Sequence, residues 1–303
     1  MKGLDELFSA HPEKNRVESG TLYLTATPIG NTMDITARAL RVLEGVSFIA
    51  AEDTRVTGRL LSFYGIEKPL LCYFEHNKQQ RGPLICERLL GGESCALVTD
   101  AGMPAISDPG QDLVALCRER GIPVRCVPGC CAAPTALALS GMDSTRFAFE
   151  GFLPQEKKER AARLETLRRE ERTMLFYEAP HRLQKTLAQL YEAFGEREIA
   201  LCRELTKLNE QTLRLTLSGA LALCEQTPPR GEYVLVVGGA QKKVAQAEAF
   251  WGAMRITEHV KYYMDEDPTL RKNDALKLVA KDRGIPKAQA YRALLEEEEE
   301  KGQ

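Results

Sequence analysis

The chain has 303 residues, 44% of them hydrophobic, and a formal charge of −2. That length and composition suffice to bury more than one core, so two or three domains are expected. The near-neutral charge excludes a global field for nucleic acid and leaves any such contact to local basic clusters.

From Gly20 onward, short apolar runs alternate with amphipathic stretches. Strands are predicted at 22–27, 47–52, 69–74, 95–100 and 124–127, with helices at 34–43, 55–64, near 81–90, and at 111–120. This alternation predicts a parallel-rich sheet with helical cover over residues 20–143, preceded by an arm over 1–19 without expected order. A second α/β domain, 144–240, is predicted from strands at 147–153, 174–179, 199–205, 211–217 and 233–237 and helices at 156–172 and 182–194. Its last strands are too close in sequence for a crossover helix in every gap, so its sheet is expected to be mixed.

After Gly239 the composition turns to Ala, Lys and Glu, and 241–303 is predicted as a helical extension, with helices at 244–264, 273–281 and from Lys287. The turn at Gly284-Ile285-Pro286 suits a helix-turn-helix, and the terminal EEEEEKGQ is expected to be a solvated tail. Between Thr269 and Arg292, Arg271, Lys272, Lys277, Lys281, Arg283, Lys287 and Arg292 outnumber Asp274 and Asp282, a local charge of +5. That suits a phosphate-binding patch, and equally an ordinary solvated helical face.

No run of about 18 apolar residues occurs. The first twenty residues are too charged for a secretory segment, and the expectation is a cytoplasmic protein that does not enter a membrane. Nine scattered cysteines without C-x-x-C spacing read as buried thiols. Cys126, Cys130 and Cys131 have no histidine nearby, and no metal is expected.

Neither a dinucleotide fingerprint nor a phosphate-binding P-loop occurs. Instead, TPIGN (27–31), EDTR (52–55), TDAGMPAISDPG (99–110) and PGCCA (128–132) follow predicted strands. Such loops converge on the ligand crevice of an open α/β sheet. The twelve residues 99–110 are the most informative, because Gly102, Pro104, Pro109 and Gly110 impose an irregular backbone while Asp100, Ser107 and Asp108 supply polar groups.

In this order, TPIGN, AAEDTR (50–55), TDAGMPAISDPG, PGCCA, EGFLP (150–154), FYEAPHR (176–182), RELTK (203–207) and GEYVLVV (231–237) resemble the tetrapyrrole methylase superfamily. Within it they resemble the bacterial ribosomal small subunit methyltransferase I family of 16S rRNA cytidine 2'-O-methyltransferases, over about residues 21–238. The resemblance implies a two-domain tetrapyrrole-methylase-like fold that binds S-adenosylmethionine in an interdomain cleft. It further implies a homodimer, and as partner the 16S rRNA decoding region of the small ribosomal subunit. Carried onto this sequence, Asp100, Gly102, Ile106 and Ser107 would line the cofactor, with Cys131, Ala132 and Ala133 in support. Phe176, Tyr177 and Glu178 would close the site from the second domain, with Leu205 and Thr206 as further contacts. Many relatives carry Thr at Met103 and Pro-Ser or Pro-Cys at Cys130-Cys131, which leaves side-chain contacts at Met103 and Cys130 open.

Proton removal from an acceptor hydroxyl has three candidates here: Asp53, Glu178 and Lys207. Arg55, Arg182 and Arg203 are candidate RNA clamps, or else structural partners of Glu52, Glu178 and Glu204, and Arg271, Lys272 and Lys287 are the candidates of the extension. A tetrapyrrole C-methyltransferase and a non-catalytic rRNA-binding assembly factor remain as alternatives.

Overall fold

The computed structural model describes residues 16–240, 251–252 and 254–301. The chain divides into two compact units with the boundary after Ala240. Most of the arm expected over 1–19 therefore lies outside the described residues.

The first unit opens with five strands, β1 (Leu22–Thr25), β2 (Phe48–Ala51), β3 (Leu70–Cys72), β4 (Cys95–Val98) and β5 (Val124–Val127), each close to its predicted place. They form one parallel sheet in the order β3-β2-β4-β1-β5. Both faces of the central strands are covered, which is why β2 and β4 are buried throughout and read as unbroken apolar runs. On one face, Tyr23, Ile49, Ala96 and Val98 pack against Ala39, Val42, Leu43 and Leu61 of α1 (Ala37–Gly45) and α2 (Thr54–Phe63). On the other, Leu22, Phe48, Cys95 and Leu97 meet Ile85, Leu89, Leu113 and Cys117 of α3 (Lys78–Leu90) and α4 (Gln111–Glu119). The chain leaves the adjacent strands β1 and β4 toward opposite faces, the arrangement that opens a crevice at the carboxyl ends of a parallel sheet.

The second sheet has the order β6-β7-β10-β8-β9, from β6 (Phe147–Gly151), β7 (Thr173–Glu178), β8 (Glu198–Arg203), β9 (Gln211–Thr216) and β10 (Tyr233–Val237). It is mixed, as expected: β6 and β7 are parallel and the remaining pairs antiparallel. Alternation along each strand sorts its side chains by face. Met174, Phe176, Ile199, Leu201, Leu235 and Val237 face α6 (Lys157–Leu167), α7 (Pro180–Phe194) and α8 (Leu217–Gln226), whereas Leu175, Ala200, Cys202, Val234 and Val236 face the other way.

That second face is covered by α5 (Ala132–Ser140), through Ala133, Ala136 and Leu137. Helix α5 follows β5 directly yet packs on the second sheet, so the two lobes share it. Neither α5 nor α8 was anticipated from the sequence, and the charged helix expected over 156–172 ends at Leu167. The cysteines also divide: Cys86, Cys95, Cys117, Cys202 and Cys224 are buried, but Cys126 is exposed and Cys72, Cys130 and Cys131 are half-buried. Cys126 lies on β5, the open edge of the first sheet.

In the second unit, α9 (Ile256–Glu266), α10 (Lys272–Asp282) and α11 (Lys287–Lys301) surround Ile256, Val260, Ala275, Leu276, Val279, Ala290 and Leu294. Of the helix expected over 244–264, residues 244–250 and 253 lie outside the described ones. The acidic tail is helical rather than frayed as far as Lys301, since α11 continues through Glu296, and Glu296 and Glu298 are exposed. The Glu297 carboxylate accepts from Ile256 N at 3.0 Å and Thr257 N at 2.8 Å, capping α9. Among the described residues no helix is long and apolar enough to cross a membrane.

Candidate active site in the cleft of the first unit

The loops after β1 and β4 are stitched together at Thr27 and Gly102, which exchange backbone hydrogen bonds at 2.9 and 3.1 Å. The Thr27 hydroxyl donates to Thr99 O at 3.1 Å, so the root of the 99–110 loop is fixed as well. Four non-glycine residues adopt left-handed backbone: Ala105 (φ 68°), Ser107 (φ 64°), Glu204 (φ 51°) and Thr206 (φ 65°). Each costs about 1–3 kcal/mol and persists only where its surroundings over-determine it. Two lie in the 99–110 loop and two in the turn after β8.

Both strained loops wall one cavity of about 410 Å³. Gly102, Met103, Ile106 and Asp108 line it from the first lobe, Cys131 and Ala132 from the start of α5, and Phe152, Tyr177, Cys202, Leu205 and Val234 from the second. The pleat explains the selection: Tyr177, Cys202 and Val234 lie on the sheet face opposite the α6–α8 core. An apolar cleft of this size, at the switch point of an α/β sheet, suits a small-molecule ligand. Tyr177 braces it, with its ring 5.0 Å from Phe149 and 5.7 Å from Phe152 and its oxygen accepting from Ala133 N at 3.2 Å. Burial pushes the Tyr177 hydroxyl's pKa up, so it stays neutral.

The lobes are clasped where Asn31 N donates to Thr206 Oγ1 at 2.9 Å. Next to it, a Cβ on Gly30 would stand 2.5 Å from Lys207 Cγ and 2.7 Å from Thr206 Oγ1, so only glycine allows this approach. Thr206 N in turn donates to Glu210 Oε2 at 2.5 Å.

Carboxylates gather at the ends of β2 and β4. Thr99 Oγ1 donates to Glu52 Oε2 at 2.7 Å, and Asp53 N donates to Asp100 Oδ1 at 3.2 Å. Burial, then the neighbouring Glu52 charge, raises the pKa of Asp100 and pushes that of Asp108 up to about 6. Asp53 goes the opposite way, down to about 2, because Arg55 grips it with Nε–Oδ1 at 3.1 Å and Nη2–Oδ2 at 2.7 Å.

The sequence profile of the Tetrapyrrole (Corrin/Porphyrin) Methylases matches residues 21–220. A protein of Halalkalibacterium halodurans named Ribosomal RNA small subunit methyltransferase I is 45% identical, over 92% of this chain and 96% of its own. Its namesake in Bacillus subtilis is 45% identical over 91% and 94%. The chain belongs to this methyltransferase family. Among solved structures, the uroporphyrin-III C-methyl transferase of Thermus thermophilus complexed with S-adenyl homocysteine shares the fold, with a TM-score of 0.52. It is 16% identical, over 72% of this chain and 97% of that one.

For this family member the structure brings Gly102, Ile106, Cys131, Ala132, Tyr177 and Leu205 together at the cavity. Asp100 lies beside it, exposed, at the Asp53 amide. Ser107 and Thr206 belong to the strained loops, and Ala133 contributes its N–H to Tyr177. The Phe176 side chain is fully buried on the opposite face of the sheet, among the α6–α8 core. Sequence reasoning named Asp108 only as a polar group of its loop, left Met103 open, and did not place Phe152, Val234 or Ile29 at the cavity. All five stood inside quoted motifs, and the alternation of GEYVLVV already put Val234 and Val236 on one face.

The proton-removal candidates are otherwise engaged. Glu178 accepts from Thr186 Oγ1 at 2.5 Å and Ala179 N at 2.9 Å and pairs with Arg182 at 3.3 Å. Lys207 Nζ binds Glu232 at 2.9 Å and Glu204 at 3.1 Å; burial pulls its pKa down, but the two carboxylates outweigh that and raise it. Asp53 is held by Arg55. Of the arginines, Arg55 is exposed, Arg182 also donates to Leu153 O at 3.0 Å, and Arg203 has a buried Nε without a partner among the described residues. Arg271, Lys272 and Lys287 are exposed in the second unit, Lys272 paired with Glu298 at 2.5 Å.

Proposed function

We propose that this protein transfers the methyl group of S-adenosylmethionine to the ribose 2'-hydroxyl of a cytidine in the decoding region of 16S rRNA. It does so on the small ribosomal subunit, in the cytoplasm and as a homodimer. The observation that carries the proposal is the cavity walled by two strained loops, in a chain matching methyltransferases of this name over nearly its full length.

The cavity's residues fit such a donor. Ile29, Ile106, Leu205 and Val234 offer apolar walls for a purine. The Thr27–Gly102 bridge and the left-handed Ser107 backbone hold the loop in one shape. S-adenosylmethionine supplies a methyl carbon made electrophilic by its positive sulfur. The chain's own work is to align the acceptor oxygen with that carbon and exclude water, for which the Asn31–Thr206 clasp, made possible by Gly30, fixes the second wall. The exposed Arg271, Lys272 and Lys287 meet RNA phosphates, and Arg55 lies near the cleft.

The test offers the protein labelled S-adenosylmethionine with three acceptors: small subunits from a strain lacking the protein, naked 16S rRNA, and a precorrin. Label in the RNA of the small subunit supports the proposal. Label only in the macrocycle overturns it in favour of tetrapyrrole C-methylation, and label in none of the three overturns methyl transfer to these acceptors.

A further inference from the structure

A ribose hydroxyl attacks well only if its proton leaves during the displacement, so the cleft should hold a base of suitable strength. Three carboxylates line the cavity: Asp108, Glu178 and Glu232. Glu178 already has donors on both oxygens, Thr186 on Oε2 and Ala179 N on Oε1. Glu232 is bound to the Lys207 ammonium at 2.9 Å. Asp108 is different, for the groups that act on it are Glu52 from the end of β2 and Thr99 and Asp100 from the end of β4. It faces Cys131 at the start of α5 and Tyr177 on β7 across the cleft. None of these is a cation.

We propose that the Asp108 carboxylate takes the proton of the acceptor hydroxyl, with Thr99 and Glu52 as the positioning pair behind it. This deepens the methyl-transfer function just argued and rests on it. The Thr99 hydroxyl stands against both Glu52 and Asp108 and has one proton to share between them: given to Glu52 it makes the 2.7 Å bond, given to Asp108 it favours the ionised form. Glu52 opposes that ionisation, so its negative charge raises the basicity of Asp108 without consuming either of its oxygens. A carboxyl group with a pKa near 6 is ionised at neutral pH and a far better proton acceptor than Asp53 at about 2.

In the step, the acceptor O–H bond breaks and its proton passes to Asp108. The freed oxygen pair forms the bond to the methyl carbon while the carbon–sulfur pair returns to sulfur. Charge balances, because one cation and one carboxylate give a neutral thioether and a neutral carboxyl. Asp108 then releases the proton to water once product has left.

The experiment compares wild type with Asp108→Asn, Asp108→Ala and Thr99→Val. It measures S-adenosylmethionine affinity by calorimetry, single-turnover transfer to unmethylated small subunits across pH, and carboxyl ionisation by carbon-13 NMR of the free protein. Wild type should show an acid limb and an NMR midpoint at about 6. Both Asp108 variants should lose transfer by about 100-fold or more while donor affinity stays within about threefold, which also certifies their fold. Thr99→Val should move the limb to higher pH, a shift that a purely structural role would not produce. Transfer within about threefold of wild type in Asp108→Asn overturns the proposal, as does a loss confined to donor affinity or a midpoint in the ordinary carboxylate range. A wild-type protein that methylates no subunit overturns the functional proposal and this one with it; wild-type transfer beside an unimpaired Asp108→Asn overturns this one alone.

Discussion

Asn31 donates its backbone N–H to the Thr206 hydroxyl at 2.9 Å, tying the loop after the first strand to a strained turn of the second lobe. The bond is possible because Gly30 presents no side chain to Thr206 and Lys207. Gly30→Ala should therefore push the two loops apart. We expect a stability loss of about 1–3 kcal/mol in urea unfolding. Donor affinity by calorimetry should weaken about tenfold or more. A variant with wild-type affinity would show that the clasp does not shape the cavity.

Glu178 sits at the cavity wall but serves the fold. Its side chain is 1% exposed and its carboxylate ties α7 to β7 through Ala179, Thr186 and Arg182. Glu178→Gln should cost about 2–3 kcal/mol of stability, since it leaves the Arg182 charge without its partner. Turnover per folded molecule should stay within about threefold. A large fall in turnover at unchanged melting temperature would instead make Glu178 part of the chemistry.

Lys207 keeps its proton through the neutral range, held by Glu232 and Glu204 against the opposing effect of burial. Lys207→Arg should preserve both ion pairs, and with them turnover to within about threefold and the shape of the pH profile. An alkaline limb in wild type that Lys207→Arg abolishes would contradict this.

Asp108 carries a pH signature in stability as well. Its folded pKa, about 6, lies above its ordinary 3.8, so its ionisation disfavours the fold: its favourable contribution is complete below the ordinary value and is lost as pH rises through 6. Asp108→Asn should then be more stable than wild type at about pH 8, by about 1–2 kcal/mol after allowance for solvent screening. The difference should shrink toward about pH 4.5. Urea unfolding at the two pH values checks this, and a pH-independent difference would refute it.

How much of this the sequence carried depends on whether a feature is local. The central strands of the first sheet were legible because a doubly covered parallel sheet demands uninterrupted apolar runs such as CALV and FIAA. The loops of the cleft were legible because Gly and Pro mark irregular backbone after a strand. Helix α5 was not, since AAPTALALS is apolar all round and contains a proline, and its partner is a sheet formed by residues far downstream. The same holds for Glu178, Lys207 and Asp53. Their motifs put them near the site, but the donors that occupy them are set by packing, which residue type alone does not reveal. Phe176 and Tyr177 show the finer limit: they are adjacent in one motif, and the pleat sends one into the core and the other into the cavity.

The central claim is the position of the methyl group. After incubation of the protein with small subunits from a strain lacking it and with labelled S-adenosylmethionine, the 16S rRNA is digested and its modified nucleosides are mapped by mass spectrometry. The account predicts label on the ribose oxygen of one cytidine in the decoding region. Label on a base, on a different nucleoside, or spread over many positions would contradict it.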